Sequence, residues 1–460
     1  MKRNPLGYED VSKLLITYSI PSIIGMMVNS LYNIVDRLFI GNAPDIGHNG
    51  LAAITIVFPM MLTTNAIGLL FGVGGSTLYS IKMGEGKDEE AKTVLNNAFL
   101  SVLVLGILLT IVGLVFLHPL AIMFGASETT LPLAKDYMRI IFFGSTFAAM
   151  GMAMNNFLRA EGQPKLAMVS MIIAGLINIV LDYVFIFIFK MGMAGAALAT
   201  VIGQGFSIAW IMSYFFSKRS TYPIKFRELK PDFKVISKTI SFGMPNFLMS
   251  MSNSILNLTL NRNLLFYGGD IAVSGMGIVN TMQTMILMPI IGINQGVKPI
   301  ASFNFGARKY LRVIKVEKLG IISATVVCLV GWIITRFFPE QIVLLFNKEP
   351  ELVKFGSYAI VSWFWLLPVV GFQMLASNFF QNIGRPNVAI ILTLTRQVIF
   401  LIPAVYFFSK IWGLNGTIHS APFADLSAAI VTGIFFYKGI QNLLQCEKDG
   451  FCDWDRDENI

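Results

Sequence analysis

Two aspartates lie inside long apolar stretches of the chain, where a carboxylate is costly. Asp36 lies in "SIPSIIGMMVNSLYNIVDRLFIG", and Asp182 lies in "AGLINIVLDYVFIFIFK". A charged side chain at the centre of a membrane helix costs roughly 2.5–3.5 kcal/mol on insertion scales, and such residues usually face the interior of a helix bundle and mark ion paths. We therefore predict that these two carboxylates bind a cation or a proton.

Asn178 and Thr200 are the polar residues expected beside Asp182. Asn178 precedes Asp182 by one helical turn, so the two side chains lie on the same face. The next apolar stretch returns through the membrane and carries Thr200. Together with Asp36, these side chains offer oxygen ligands for a hard monovalent cation such as Na+, or hydrogen bonds to a protonated carboxyl group. The residues alone leave both hypotheses open.

A simpler explanation exists for Asp36, because Arg37 follows it directly. The two could form an ion pair that reaches the outer membrane interface. Adjacent residues point about 100° apart on a helix, however, so Arg37 does not easily share the inward face with Asp36. Asp182 has no basic residue near it in the sequence. Counted along helices from Lys13 and Lys165, both aspartates are predicted in the outer half of the membrane.

The elements that position these residues are predicted to be membrane helices. Of the 460 residues, 55% are apolar and only 13% are charged, and the mean hydropathy is +0.67, which is typical of an integral membrane protein. Helices of about 20 apolar residues cross a bilayer. An even number of spans places both termini on one side. The twelve predicted spans are 14–40, 51–81, 94–117, 134–158, 166–189, 195–216, 239–267, 272–303, 317–335, 357–381, 388–408 and 415–437.

The net charge of +9 does not indicate nucleic-acid binding, because the basic residues are spread over alternate loops. The densest basic cluster is "SKRSTYPIKFRELKPDFKVISK", within residues 217–238. By the positive-inside rule these loops are cytoplasmic, and so are both termini. The chain is thus expected to be a multi-pass protein of the plasma membrane.

Motifs for catalysis are missing from the sequence. The three histidines are scattered, and "GVGGST" and "GEGKD" lack the frame of a phosphate-binding loop. We therefore expect no enzyme activity and no cofactor, and any active transport would use an ion gradient.

The chain repeats itself at an offset of about 222 residues. "NNFLRAEGQPKLA" aligns with "SNFFQNIGRPNVA", and Pro21 aligns with Pro245. Because each half has six spans, the repeat is parallel, as in several transporter folds. The duplicated prolines are candidate hinges, since proline bends a membrane helix. The offset brings Leu260 and Ala404 to the positions of the two aspartates, so the ion site is predicted in one lobe only. The predicted domains are an N-terminal lobe at 1–216, a basic cytoplasmic linker at 217–238, a C-terminal lobe at 239–440 and a cytoplasmic tail at 441–460.

The sequence resembles the multidrug and toxin extrusion (MATE) family over nearly its whole length. The segments that carry the resemblance are "YNIVDRLFIG", "LRAEGQPKLA", "NIVLD" and, most specifically, "GINQGVKPIASFNFGARK". The resemblance implies an all-α protein with two six-helix lobes around a V-shaped central cleft. It also implies an antiporter that exports cationic amphipathic drugs in exchange for H+ or Na+, and we expect a monomer.

The resemblance also implies which residues form the cation site. The family's site falls on Asp36, Asn178, Asp182 and Thr200, with Asn155 and Tyr137 as nearby hydrogen-bonding members. The predicted spans 7 and 10 lack the acids of the NorM branch, which favours the DinF and MepA-like branch. Lys298 departs from the family pattern, with no assigned effect.

Two other functions stay open at this point. One is a lipid-linked saccharide flippase of the same superfamily, which would need a basic cavity for pyrophosphate. Arg262 and Arg396 are the second-lobe residues that could supply it. The other is an intramembrane enzyme that modifies lipids, although no nucleophile or metal motif supports it.

Overall fold

The computed structural model describes residues 4–43, 47–128 and 130–449, and all regular structure in these ranges is helical. A short 3₁₀ turn at Pro5–Gly7 precedes the first helix, and π-helical turns at Tyr183–Ile188 and Thr395–Leu401 follow the sixth and thirteenth. The helices are α1 (Val11–Gly41), α2 (Gly47–Gly84), α3 (Asp88–Val115), α4 (Leu117–Met123), α5 (Leu131–Ala160), α6 (Pro164–Asp182), α7 (Gly192–Phe215), α8 (Phe233–Gly306), α9 (Tyr310–Phe337), α10 (Pro339–Leu344), α11 (Pro350–Trp363), α12 (Leu367–Asn382), α13 (Pro386–Leu394) and α14 (Ile402–Asp449).

Two of the long helices each contain two membrane spans. Among the described residues, nine helices are long and apolar enough to cross a membrane, or ten when the bent pair α11 and α12 counts as one span. α8 is broken at Gly269 (φ 63°) and α14 at Gly413 (φ 57°), in a left-handed conformation that favours glycine. Each break adds one span, so the total is twelve. The predicted all-α membrane fold is confirmed.

The chain forms two compact units that exchange short helix limbs. The N unit is Ile20–Phe247, and the C unit is Met1–Ser19 together with Leu248–Ile460. The first limb of α1 therefore belongs to the C unit, and the first limb of α8 belongs to the N unit. The chain passes between units within three residues of Pro21 and of Pro245. The domain limits drawn from the sequence do not include this exchange.

Glycines allow the exchanged limbs to pack closely in each unit. In the N unit, a Cβ atom on Gly74 would clash with the backbone of Thr239, and one on Gly243 would clash with the backbone of Leu70. In the C unit, a Cβ atom on Gly296 would clash with Ser19. Helices that approach this closely need small residues at the crossing point.

The most family-specific motif of the sequence holds the N-terminal segment in the C unit. Asn304 donates to the carbonyl oxygen of Leu6 at 2.9 Å. Arg312, three residues beyond the motif, donates to the carbonyl oxygens of Leu6 at 3.1 Å and Glu9 at 2.6 Å. A further contact, between Lys309 Nζ and the Gly7 carbonyl oxygen, measures 2.6 Å. The end of the motif and the residues just after it thus anchor residues 4–10.

The segment predicted as a basic linker, 217–238, is fastened to the N unit. Glu161 accepts hydrogen bonds from Ser220 Oγ and from the Thr221 amide, both at 3.0 Å. The same carboxylate accepts from Tyr79 at 3.0 Å and from Tyr214 at 2.9 Å. Towards the C-terminal end of the chain, α14 extends to Asp449, and residues 450–460 of the predicted tail lie outside the described residues.

Candidate functional site

The structure brings Asp36 and Asp182 together inside the N unit. α1 and α6 pack at Gly175, where a Cβ atom would lie 3.2 Å from Val28 and 3.3 Å from Tyr32. Asp36 is one turn beyond Tyr32 on α1, and Asp182 is two turns beyond Gly175 on α6. The two carboxyl groups are within hydrogen-bonding reach of each other. Asp182 is fully buried.

Asn178 and Thr200 lie beside the two carboxyl groups. Asn178 Nδ2 donates to Thr200 Oγ1 at 3.3 Å, which joins α6 to α7. The helices approach closely because α7 has glycine at 203, where a Cβ atom would lie 2.7 Å from the Ala174 carbonyl oxygen. The structure therefore places these four predicted ligands in one cluster.

Four oxygen atoms of this cluster have no hydrogen-bond partner among the described residues. They are Oδ1 of Asp36, both Oδ atoms of Asp182 and Oδ1 of Asn178. Buried polar atoms are almost always hydrogen-bonded, so such a group of acceptors points to a missing positive partner. Two facing carboxylates cannot both stay ionised in a low dielectric without a proton or a cation between them.

The ligand set fits a monovalent cation as well as a proton. Carboxylate, amide and hydroxyl oxygens are the ligands that hard cations prefer. The described residues contain no group of three or more His, Cys, Asp or Glu that could hold a metal ion. The cluster thus supplies two acidic ligands and at most two formal negative charges.

The structure does not support the hypothesis that Asp36 is tolerated in an apolar helix because it pairs with Arg37. The Arg37 guanidinium lies 5.9 Å from the centroid of the Phe58 ring, and the residue is exposed. No ion pair joins Arg37 to Asp36 in the part of the chain that the structure describes, although the two charges attract through space. Adjacent residues point about 100° apart on a helix, which is consistent with the lack of an ion pair.

Tyr137 and Asn155 have different positions. Tyr137 of α5 is 1% exposed and is close enough to interact electrostatically with both aspartates. Asn155 lies about five turns further along α5. Its amide donates to the Ala167 carbonyl oxygen at 2.9 Å and to Ser170 Oγ at 2.7 Å. Asn155 thus fastens α5 to the start of α6 and does not contact the carboxylate pair.

Two features of the site were not predicted. The first is the π-helical turn at Tyr183–Ile188, which follows Asp182 directly; such turns are frequent at functional sites. The second is a polar stripe on α1, in which Asn29 and Tyr32 share a face with Asp36. Asn29 Nδ2 and Tyr32 Oη lie 3.5 Å apart. The spacings of three residues from Asn29 to Tyr32 and four from Tyr32 to Asp36 indicate this shared helix face in the sequence.

Asp36 and Asp182, the two carboxylates singled out in the sequence, are not the only ones within long apolar helices of the described chain. Asp425 of α14 is 4% exposed, and its Oδ1 lies 2.6 Å from Nε of Arg396. Glu317 of α9 is fully buried. Leu260 and Ala404, which the repeat offset aligns with the two N-unit aspartates, are both buried in the C unit.

Comparison with protein families agrees with the repeat in the sequence. A family model described as MatE matches residues 21–184 and also residues 243–407. The two matches begin 222 residues apart (243 minus 21), which is the offset read from the sequence. Together they cover more than half of the chain.

Individual relatives and solved structures match over nearly the whole chain. The multidrug export protein MepA of Staphylococcus haemolyticus is 28% identical over 451 residues, or 97% of this chain and 98% of that protein. MepA of Staphylococcus aureus strain MSSA476 is 28% identical over 440 residues, covering 95% and 96%. An outward-facing multidrug resistance MATE family transporter of the MOP superfamily aligns with a TM-score of 0.90 at 27% identity, covering 97% and 99%.

A further structural neighbour carries a different description. A MOP superfamily transporter from Pyrococcus furiosus aligns with a TM-score of 0.89 at 28% identity, covering 96% and 99%. It is described as having a binding pocket of reverse polarity that suggests a different function. Similarity of fold at this level therefore does not fix the cargo. The duplicated family match does establish membership: the chain belongs to the MatE family of membrane transporters and is not an enzyme.

Proposed function

We propose that the chain is a secondary active antiporter that exports cationic amphipathic drugs or toxins in exchange for H+ or Na+. The observation that carries the proposal is the facing pair of Asp36 and Asp182. Three of their four carboxyl oxygens are buried and have no hydrogen-bond partner among the described residues. The similarity to proteins named as multidrug exporters supports the cargo class.

One positive charge at this pair explains the coupling. Without it, the facing carboxylates repel each other and lack solvation, which is expensive in the membrane interior. An ion that enters from outside neutralises the two carboxylates, and a cationic drug competes with that ion for the same carboxylates. One charge that moves down 100 mV releases about 2.3 kcal/mol, and each pH unit adds about 1.4 kcal/mol. Either gradient is sufficient to drive accumulation roughly tenfold or more.

The prolines at the unit boundaries fit a role in alternating access. Pro21 and Pro245 lie within three residues of the points where the chain passes from one compact unit to the other. A proline at such a point weakens the helix and allows it to bend. We expect Pro21→Ala and Pro245→Ala to slow drug exchange while drug binding is retained. Unchanged exchange rates in both variants would remove the hinge from the proposal.

A saccharide flippase is the second candidate, and the basic residues argue against it. Arg396 is neutralised by Asp425, so it does not present a free charge to a pyrophosphate. Arg262 is exposed on the C unit. Asp36 and Asp182 form no ion pair with any described residue, and two such acids in the N unit favour a cationic cargo.

The test is efflux of ethidium from vesicles that contain the purified protein. A pH gradient and a Na+ gradient are imposed separately, and export is recorded for each. Export driven by one of the gradients supports the antiporter and identifies its ion. Export that requires neither gradient, or transport of lipid-linked saccharide instead, would contradict the proposal.

A further inference from the structure

Glu317 and Asn382 form a buried pair in the C unit that the transport site does not use. Glu317 lies about two turns into α9, and Asn382 is the last residue of α12. The two side chains are 0% and 1% exposed. Asn382 Nδ2 donates a hydrogen bond to Glu317 Oε1 at 2.9 Å.

Each side chain of the pair has one oxygen atom with no partner among the described residues. Glu317 Oε2 and Asn382 Oδ1 are buried and have no hydrogen bond to any described residue. Both atoms are acceptors when the glutamate is ionised, so they cannot satisfy each other in that form. Two unpaired acceptors on two side chains that already share one hydrogen bond are a costly arrangement.

A single proton would give both unpaired oxygen atoms a hydrogen-bond partner. A proton on Glu317 Oε2 turns that atom into a donor, and Asn382 Oδ1 is the matching acceptor. A carboxylic acid and an amide then share two hydrogen bonds, N–H to C=O in one direction and O–H to C=O in the other. The neutral acid also avoids the cost of an isolated charge in the interior.

Among the described residues, no opposite charge near Glu317 offers another solution. Burial and the hydrogen bond from Asn382 are the interactions that act on its carboxyl group among the described residues. On α9, Arg312 and Lys315 contact the N-terminal segment. Lys298 on α8 interacts with another group, and Asp425 on α14 is paired with Arg396. The remaining charged side chains of α8 to α11 and of α14 are exposed. α12 carries no charged residue.

We propose that Glu317 and Asn382 form a proton-binding site in the C unit, with the proton on Glu317 Oε2 and shared with Asn382 Oδ1. The site does not depend on the drug specificity or the coupling ion proposed above. Loss of the proton would leave a carboxylate facing an amide oxygen, and so would weaken the packing of α9 against α12. The site thereby links protonation to the stability of the C unit.

Infrared difference spectroscopy on the full-length protein in lipid vesicles tests the proposal. The spectrum of wild type minus Glu317→Gln should contain a protonated carboxyl band at neutral pH. Asn382→Leu should shift that band, because it removes the acceptor. The matched control is Glu349→Gln, which changes an exposed glutamate and should leave no such band in its difference spectrum.

The opposing results are distinct. A difference spectrum with only the bands of an ionised carboxylate would show that Glu317 carries no proton. A protonated band that disappears when Na+ is added would identify a cation site instead. Either result overturns the proposal, and neither bears on Asp36 or Asp182.

Thermal unfolding provides a second measurement. Glutamine at 317 offers an amide donor in place of the acid, so Glu317→Gln should unfold at the wild-type temperature where the wild type is protonated. With increasing pH the wild type should become less stable than this variant. Glu317→Gln that unfolds as readily as Glu317→Ala at every pH would show that the charged form is required, and would contradict the proposal.

Discussion

Asp36 on α1 and Asp182 on α6 bring their carboxyl groups within hydrogen-bonding reach of each other. Oδ1 of Asp36 and both Oδ atoms of Asp182 have no hydrogen-bond partner among the described residues. A proton or cation bound between the two carboxyl groups therefore links α1 to α6. A change in that charge alters the force between α1 and α6 directly, because like charges in a low dielectric repel strongly. The pair is thus suited to convert ion binding into movement of a helix.

Asn178 and Thr200 are predicted to support ion binding without carrying charge. Asn178→Ala removes an amide group that lies beside Asp182, and Thr200→Ala removes the hydroxyl group that accepts from Asn178. Each loss is worth about 1 kcal/mol, so the ion concentration for half-maximal efflux should rise roughly fivefold. Drug binding, measured by fluorescence, should be retained.

The matched control is Thr200→Ser, which keeps the hydroxyl group and should stay close to the wild type. Thr200→Val tests the same position with similar volume and no hydroxyl group. If the alanine variants fail to reach the membrane but keep normal coupling in the protein that does, the two residues have a structural role instead.

The basic segment 217–238 is predicted to be cytoplasmic. Ser220 is buried against Glu161, so a reporter cysteine belongs at the exposed Arg219. In a background without other reactive cysteines, Arg219→Cys should react with an impermeant thiol reagent only in permeabilised or inverted membranes. Lys348→Cys, in a loop predicted to be outside, is the control and should react in intact cells. The reverse labelling pattern would invert the topology.

Glu161 is predicted to hold the same segment on the N unit. Its carboxylate accepts from Tyr79, Tyr214, Ser220 and Thr221. Hydrogen bonds to a charged group contribute about 1.5–3 kcal/mol. Glu161→Ala should therefore increase the rate of tryptic cleavage within the segment by roughly tenfold or more.

A surface acid on the same segment provides the comparison for Glu161. Glu228 pairs with Lys92 at 2.6 Å near the surface, and surface ion pairs contribute little to stability. Glu228→Gln should change the cleavage rate little. Equal effects of the two substitutions would mean that Glu161 is an ordinary surface contact.

The N-terminal anchor is predicted to be insensitive to physiological pH. A hydrogen bond from Lys315 lowers the pKa of Asp10 from 3.8 to about 2. A lowered pKa stabilises the folded state fully above the ordinary pKa, and the contribution is lost only as the pH falls through about 2. Hydrogen exchange of residues 4–10, corrected for intrinsic rates, should therefore be equal at about pH 6 and pH 8.

Arg312→Ala should speed this exchange at both pH values, since Arg312 binds two carbonyl oxygens of the segment. Lys318→Ala, on the same helix, is the control. Exchange that is as fast in the wild type as in Arg312→Ala would show that the segment is not anchored.

Much of the N-unit site could be predicted because the signals are local. A carboxylate inside an apolar run is visible in the sequence, and Asn178 follows from helical spacing to Asp182. Asp425 has the same local signal, since it lies inside an apolar run, yet its partner Arg396 is on another helix. The pairing of Asp36 with Asp182 also needed the fold, because it depends on how α1 packs against Gly175 of α6.

The exchange of helix limbs could not be predicted from the sequence. The repeat offset aligns Gly74 with Gly296, and each lies at a close crossing with an exchanged limb. Ser19 and Gly296 are far apart in the chain, and neither has a composition that indicates its partner. In the sequence, a close helix crossing is marked only by a small residue at the crossing point. Small residues are common throughout membrane helices, so they do not identify the partner helix.

The measurement that tests the central claim most directly compares two forms of transport by Asp36→Asn and Asp182→Asn in vesicles. Asparagine keeps the shape but removes the charge that binds the ion. Both variants should bind ethidium and exchange it at equal concentrations, yet fail to export it against its gradient when the coupling ion gradient is imposed. Asp270→Asn is the control and should export like the wild type. Wild-type gradient-driven export by either site variant would contradict the account, because that carboxylate would then play no part in coupling.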